Sequence, residues 1–87
     1  MRRSSPQTRR LLDALLGEPT RWRHGYDLSR ETGLASGTLY PILARLEARG
    51  LLDARWRERR HVYRLTGEGI RFARAELAQG GRLREAW

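Results

Sequence analysis

The segment SGTLYPILARLEARGLL, residues 36–52, decides the fold because it contains the clearest amphipathic helix in the chain. On a helical wheel, Leu39 lies within about 60° of Ile42, Leu43 and Leu46. This spacing of i, i+3, i+4 and i+7 is typical of a helix face that is buried in a core. We therefore expect these four side chains to hold the helix to the rest of the domain.

The opposite face of this helix has an unusual composition for a face that meets only water. Small side chains follow its midline and polar ones its edges, with Gly37, Pro41, Ala44 and Ala48 along the midline and Thr38, Tyr40 and Arg45 at the edges. A helix in the major groove of DNA needs this profile, because its backbone must approach the base edges closely. An ordinary exposed face in an alanine-rich sequence is the alternative, and the helix alone does not decide between them.

Pro41 constrains where this helix begins. A proline inside a helix removes a hydrogen-bond donor and costs about 3 kcal/mol. That cost is avoided if helical bonding starts at Thr38 or Leu39, because Pro41 then lies in the first turn, where the missing N–H has no helical acceptor. We predict this start, which leaves backbone N–H groups near the beginning of the helix free to bind phosphate.

The other segments follow the order of a winged helix-turn-helix domain. Ser5 can cap a first helix that has Pro6 at its first position, and residues 21–23 alternate in the manner of a short strand. The predicted elements are helices over residues 6–17, 25–32 and 37–50, wing strands over 53–57 and 61–65, and a last helix over 67–79. Gly80-Gly81 is expected to fray or break that last helix, and its extension to residue 86 is left open. The expected fold class is mainly α with a small β-hairpin wing (α+β), in one domain over residues 1–87.

The charge of the chain points to a polyanionic partner. Its 87 residues carry a net charge of +8, with a sequence pI of about 11.5. All 18 of the Lys and Arg residues are arginine, which a GC-rich coding sequence explains, but that bias does not remove the net charge. A balance this basic in a small domain favours nucleic acid as the partner. There is no cysteine, and no apolar run approaches the roughly 20 residues that span a membrane, so we expect a cytoplasmic protein without a membrane partner.

Residues 54–64, ARWRERRHVYR, form the most basic segment of the chain, with five arginines against one acid. We expect Trp56 and Tyr63 to pack inward, while the basic tip reaches the backbone or minor groove of DNA. A solvated hairpin without a partner is the alternative. The connection from Glu58 to Arg60 contains no Gly, Asn, Asp or Pro, so its turn chemistry does not itself predict a hairpin.

Catalytic and metal-binding patterns are weak. His24 and His61 are the two histidines, and without cysteine they make a poor metal constellation. No Ser/His/Asp order, carboxylate pair or glycine-rich phosphate loop stands out. We expect no enzyme activity, no metal and no cofactor.

Several motifs together resemble those of a known family. Gly37-Thr38-Leu39-Tyr40-Pro41 is the most specific, and His24-Gly25-Tyr26-Asp27-Leu28 and the segment from Arg60 to Thr66 accompany it. Over roughly residues 11–78 the chain resembles the PadR-like transcriptional regulators. The resemblance implies a dimeric winged-helix protein that binds double-stranded DNA, most often as a repressor, and that is associated with the nucleoid when bound. We therefore expect a homodimer on a near-palindromic operator.

The residues and the resemblance together predict two sets of site residues. The predicted DNA-binding residues are Arg23, Ser36, Gly37, Thr38, Tyr40, Pro41, Arg45, Arg59 and Arg60. By the resemblance, a C-terminal dimerisation helix packs against the partner's first helix, which implies Ile70, Phe72, Ala73, Leu77 and Leu83 against Leu11, Leu12 and Leu15. Some family members bind planar aromatic effectors, for which Trp22 and Trp87 are candidates, although a packing role is favoured for both.

The sequence departs from the family pattern in three places: the short wing, the glycine pair in the last helix, and Trp87, which has no counterpart in the family pattern. Two other functions therefore stay open. One is a module that binds RNA or binds DNA without sequence preference, and the other is a non-catalytic winged helix whose small-residue face binds a protein.

Overall fold

Four helices and three strands make up the part of the chain that the computed structural model describes, residues 4–85, with side chains described for residues 4–79. In chain order the elements are α1 (Pro6–Gly17), β1 (Arg23–His24), α2 (Gly25–Thr32), α3 (Ser36–Ala48), β2 (Leu52–Arg57), β3 (Arg60–Leu65) and α4 (Gly67–Glu85). The strands form one antiparallel sheet in the order β1-β3-β2. This is the predicted winged helix-turn-helix architecture. None of the helices within residues 4–85 is both long and apolar enough to cross a membrane.

The predicted start of α1 and end of α2 are confirmed. The Ser5 hydroxyl accepts a hydrogen bond from the Thr8 N–H at 3.1 Å, and Pro6 occupies the first position of α1. Gly33 ends α2 with a φ of 75°, a left-handed conformation that glycine adopts at little cost. Its N–H donates to the Ser29 carbonyl at 2.9 Å, which begins the turn toward α3.

Two predictions about local structure are wrong. The last helix does not break at Gly80-Gly81, since α4 runs from Gly67 to Glu85. Each glycine lowers helix stability by only about 1 kcal/mol relative to alanine, which is too little to stop a long helix by itself. The third helix begins at Ser36, where the Leu39 N–H bonds the Ala35 carbonyl at 2.9 Å, and not at Thr38 or Leu39.

Pro41 therefore lies in the second turn of α3, where it cannot donate to the carbonyl of Gly37. Both residues lie on the exposed face of the helix. Water can bind the carbonyl that the proline leaves without a donor, so the penalty is smaller than in a buried helix.

The core lies between the helices and the inner face of the sheet. The predicted face of α3 is confirmed, since Leu39, Ile42, Leu43 and Leu46 are all buried. The largest fully buried side chains are Leu11, Leu12, Leu15, Leu28, Leu39 and Leu43. α3 therefore has one face anchored by leucine and isoleucine and the other turned outward.

The beginning of the chain is tied to α4 through Ser4 and Glu76. The Ser4 N–H donates to Glu76 Oε1 at 3.0 Å, and the Ser4 hydroxyl donates to the same oxygen. These hydrogen bonds lower the pKa of Glu76 from its ordinary value of 4.5. Because the folded-state pKa is depressed, this contact stabilises the fold above pH 4.5, and that stabilisation is lost as the pH falls through the lowered pKa.

Candidate nucleic-acid interface

The turn between α2 and α3 is held by side-chain hydroxyls. Ser29 Oγ donates to the Leu34 carbonyl at 2.6 Å, and Thr32 Oγ1 donates to the Leu28 carbonyl at the same distance. The Thr32 hydroxyl also accepts from the Leu34 N–H at 3.2 Å. These bonds satisfy the backbone of the turn, so α2 fixes the direction in which α3 projects.

The outward face of α3 carries most of the predicted DNA-binding residues. All of its members are exposed, namely Ser36, Gly37, Thr38, Tyr40, Pro41 and Arg45. No side chain caps the start of α3, where Ala35 is the cap residue. The Thr38 and Leu39 N–H groups donate to the Ala35 carbonyl. Those of Ser36 and Gly37 precede the first helical acceptor, so they are available to an anion at this end.

Tyr40 is positioned by its contact with Gly25 at the start of α2. A Cβ added at Gly25 would collide with the Tyr40 hydroxyl and lie 3.0 Å from two carbons of the ring. The ring still keeps 44% of its surface exposed. In the sequence, glycine at position 25 is notable only as part of the family motif. The structure supplies a physical reason for it, because glycine leaves room for the tyrosine at the edge of the outward face.

The wing is a hairpin with a strained two-residue turn. β2 and β3 pair in register from Leu52↔Leu65 to Arg57↔Arg60, which leaves Glu58 and Arg59 as the turn. Their φ angles are 49° and 67°, a conformation that glycine and asparagine adopt far more readily than glutamate or arginine. The pairing of the strands therefore imposes a turn that the turn residues themselves do not favour, and it places Arg59 and Arg60 at the tip.

Variants that relieve the strain in this turn distinguish the effect of the turn on protein stability from its role in DNA binding. We expect Glu58→Asn and Arg59→Gly each to raise the free energy of unfolding by about 1 kcal/mol, because both residues tolerate positive φ. We expect Arg59→Gly to weaken binding to duplex DNA and Glu58→Asn not to weaken it. Urea denaturation and fluorescence anisotropy on the two variants check both parts. Equal affinity of Arg59→Gly and the unmodified protein would remove Arg59 from the interface.

A cleft of about 590 Å³ lies between the wing, the start of α2 and α3. Its lining brings together residues from all three elements: His24, Gly25, Tyr26, Tyr40, Trp56, Arg59, Arg60 and His61. The Trp56 and His61 rings meet edge to face with their centroids 4.7 Å apart. Tyr40 and the two arginines at the wing tip therefore border one concave surface. Arg45 lies on the other edge of α3, in a smaller depression beside Arg49 and the start of α1.

One of the two aromatic residues predicted to pack inward does not do so. Tyr63 is buried in the core, as predicted, and burial raises the pKa of its phenol. Trp56 is 64% exposed. The distal half of β2 extends beyond the helices, so Trp56 packs against the neighbouring His61 and lines the cleft instead of the core.

The structure contradicts the predicted phosphate contact of Arg23. Its side chain is almost fully buried, because position 23 of β1 pairs with the buried Tyr63 and faces the core. Arg23 Nη1 donates to the Ala14 carbonyl at 3.0 Å, and Nη2 is paired with the Glu31 carboxylate. Arg23 therefore joins α1 to α2 and is not available to DNA.

This structural role predicts the effect of removing Arg23. We expect Arg23→Ala to lower the free energy of unfolding by about 1–3 kcal/mol, since a buried carbonyl and a carboxylate lose their partner. Arg21→Ala is the matched control, because Arg21 has an exposed ion pair with Glu18 and such pairs contribute about 0–1 kcal/mol. Urea denaturation of both variants measures the difference. A wild-type stability for Arg23→Ala, together with a weaker salt dependence of DNA binding, would restore the phosphate role.

The residues predicted for dimerisation divide into two groups. Leu11, Leu12, Leu15 and Ala73 are buried in the core of a single chain, so a partner cannot reach them without opening that core. Ile70, Phe72 and Leu77 are half-buried and retain exposed surface along α4, and Arg49 lies over the Phe72 ring. The side chain of Leu83, like all of Trp87, lies outside the described residues.

Comparisons with known proteins agree with this geometry. The family model described as "Transcriptional regulator PadR-like family" matches residues 12–75. The PcaV transcriptional regulator from Streptomyces coelicolor superimposes with a TM-score of 0.82 at 29% identity, covering 95% of this chain and 60% of PcaV. MepR, a transcription regulator of the Staphylococcus aureus multidrug efflux pump MepA, gives 0.82 at 18% identity, over 94% of this chain and 62% of MepR. A structure of the S. aureus MepR-DNA complex superimposes with a TM-score of 0.77 at 18% identity, covering 94% of this chain and 68% of the MepR chain. The chain thus spans about three fifths of PcaV and MepR, and no curated protein is a significant match.

Proposed function

Because the chain belongs to the PadR-like family of transcriptional regulators, we propose that it is a sequence-specific repressor that binds a near-palindromic operator in duplex DNA as a homodimer. The observation that carries this proposal is the cleft at which the outward face of α3 meets the wing tip. Tyr40 of α3 and Arg59 and Arg60 of the wing border it together, so one approach of a duplex can contact both elements.

In this proposal α3 enters the major groove. Gly37 and Pro41 allow its backbone to come close to the bases, while Thr38, Tyr40 and Arg45 face the base edges. An arginine can bind a guanine through two parallel hydrogen bonds, which is the commonest specific contact of this kind. The DNA sequence specificity would therefore depend more on the polar side chains at the edges of the outward face of α3 than on the small residues along its midline.

Phosphate contacts fix the register of the protein on the duplex. Ser36, with the free N–H groups at the start of α3, and the wing-tip residues Arg59 and Arg60 are the proposed phosphate contacts. All three side chains are exposed. Fold relatives support this mode of binding, since MepR shares the fold and has been solved in complex with DNA.

We assign the dimer interface to α4. Its half-buried Ile70, Phe72 and Leu77 offer apolar surface outside the core, whereas the leucines of α1 are occupied within the chain. A dimer with twofold symmetry places its two α3 helices in successive major grooves, about one helical turn apart, which is why a near-palindrome is expected.

A small aromatic effector is part of the proposal. PcaV has been solved with its natural ligand, and the cleft beside Tyr26, Tyr40 and Trp56 has a volume in the usual range of ligand pockets, about 300–1,000 Å³. An effector bound there would compete with DNA for Tyr40. Trp22 is a poorer candidate, because arginine side chains lie over its ring.

Selection from a random duplex library, combined with the mass of the protein in solution, tests this function. We expect a palindromic consensus and the mass of a dimer. A monomer mass would contradict the homodimer, and enrichment of no sequence would contradict specificity. Stronger binding to RNA than to duplex DNA in a competition assay would identify an RNA-binding module. A folded dimer with no affinity for DNA at low salt would identify a protein-binding winged helix.

A further inference from the structure

Three arginine side chains converge on one tryptophan on the outer face of the sheet. The guanidinium carbons of Arg64, Arg55 and Arg57 lie 4.3, 4.9 and 5.6 Å from the centroid of the Trp22 ring. We call these four residues the Trp22 patch. The sequence placed all three arginines in the basic segment 54–64, but only the strand register shows that they converge on Trp22.

The register explains the convergence. Arg55 and Arg57 are two residues apart on β2 and so point to the same side of the sheet. Arg64 of β3 pairs with Asp53, which lies two residues before Arg55 and shares that side. Leu52 and Ala54 face the other way, toward the core. The patch is therefore on the solvent side of the sheet, with Trp22 beside it just before β1.

The three positive charges are held close together, and Asp53, which lies on the same side of the sheet opposite Arg64, forms no ion pair with them. In the part of the chain with described side chains, the ion pairs are Arg21–Glu18 and Arg23–Glu31, and neither involves the patch. Attraction between each guanidinium and the indole face offsets part of the mutual repulsion. A guanidinium that lies over a ring keeps its N–H donors at its edge. Among residues 4–79, Arg64 is the one arginine of the patch that donates a hydrogen bond, to the Thr20 carbonyl at 3.5 Å. The patch therefore presents unused donors and a local excess of positive charge.

We propose that the Trp22 patch binds backbone phosphates of duplex DNA that flank the segment contacted by α3 and the wing tip. This inference rests on the proposed DNA-binding function and extends its footprint. Arg57 pairs with Arg60 at the tip, so a row of arginines continues from the wing tip along the sheet to Arg55 and Arg64. A charged row that continues a DNA-binding tip fits the regular charges of a duplex better than the irregular charges of an acidic protein segment.

Binding to duplexes of two lengths distinguishes the contribution of the Trp22 patch from that of α3 and the wing tip. One duplex holds only the two half-sites of the selected consensus, about 20 base pairs, and the other adds flanks to about 40 base pairs. We expect Arg55→Gln/Arg57→Gln to bind the short duplex like the wild type. On the long duplex, the slope of log K against log salt should become shallower by about 2 for each protomer.

Arg71→Gln/Arg74→Gln is the matched control, since it removes two exposed arginines from α4. Thermal unfolding of both variants shows whether they stay folded. An unchanged slope on the long duplex for a folded Arg55→Gln/Arg57→Gln variant would overturn the inference. An equal decrease in the steepness of that slope for the control variant would also overturn it. Wild-type affinity for the long duplex together with lost affinity for poly-glutamate would assign the patch to an acidic protein partner instead. Failure of the wild type on both duplexes would refute the proposed function itself.

Discussion

Gly69→Ala should destabilise the protein by about 4 kcal/mol or more, which is most of the stability of a small domain at the lower end of the usual range of about 5–15 kcal/mol. A Cβ at position 69 would overlap the Leu51 carbonyl oxygen and lie 2.8 Å from its carbon. That carbonyl cannot move freely, because it accepts the Thr66 N–H at 3.1 Å and fixes the start of α4 against the end of α3. The clash is with backbone, so no change of side-chain rotamer relieves it.

Gly67→Ala is the control for this prediction. Both glycines lie in the first turn of α4, but a Cβ at position 67 meets only Arg71 Nη1, at 3.8 Å. Alanine favours a helix over glycine by about 1 kcal/mol, so Gly67→Ala should match or exceed the wild type. Urea denaturation measures both variants. A Gly69→Ala variant within about 1 kcal/mol of the wild type would show that Leu51 and α4 do not pack as described.

The second large effect is expected from substitutions on the two faces of α3, which should change different properties of the protein. Leu43 is 1% exposed, and Leu43→Ala should cost about 2–5 kcal/mol through the lost apolar contacts and the cavity left behind. Tyr40 is on the outward face, and Tyr40→Ala should leave most of the stability intact. It should weaken binding to the selected duplex by about tenfold or more, as expected for the loss of roughly 1.4 kcal/mol.

The measurement is a pair of assays on the same two variants, denaturation and anisotropy at fixed salt. Wild-type affinity of Tyr40→Ala would exclude its ring from the interface. A severe loss of stability in Tyr40→Ala would mean that its packing on Gly25 is mainly structural, and the binding result would then need a milder variant such as Tyr40→Phe.

The buried face of α3 and the start of α1 were readable from the sequence because they depend on near neighbours. The leucine and isoleucine spacing of α3 predicted its buried face, and Ser5-Pro6 marked the start of α1 at the right residue. The motif around Tyr40 led to the family that the matching model confirms. These features need no knowledge of what lies opposite them in the fold.

The failures at the candidate site share a dependence on distant residues. Arg23 is an ordinary basic residue in the sequence, and only its pairing with Tyr63 places it in the core. The Glu58-Arg59 turn forms because six strand pairs outweigh two unfavourable φ angles. In the same way, the family resemblance assigned the leucines of α1 to a partner, whereas the core of the same chain covers them.

The salt dependence of wild-type binding to a duplex of the two half-sites tests the central claim most directly. If the α3 faces and wing tips of a dimer neutralise some six to eight phosphates, log K should fall with log salt at a slope of roughly −5 to −7. Measured by anisotropy between about 50 and 200 mM salt, that slope would support binding through the arginines and helix starts described above. A slope near zero, or no binding at the lowest salt, would contradict it.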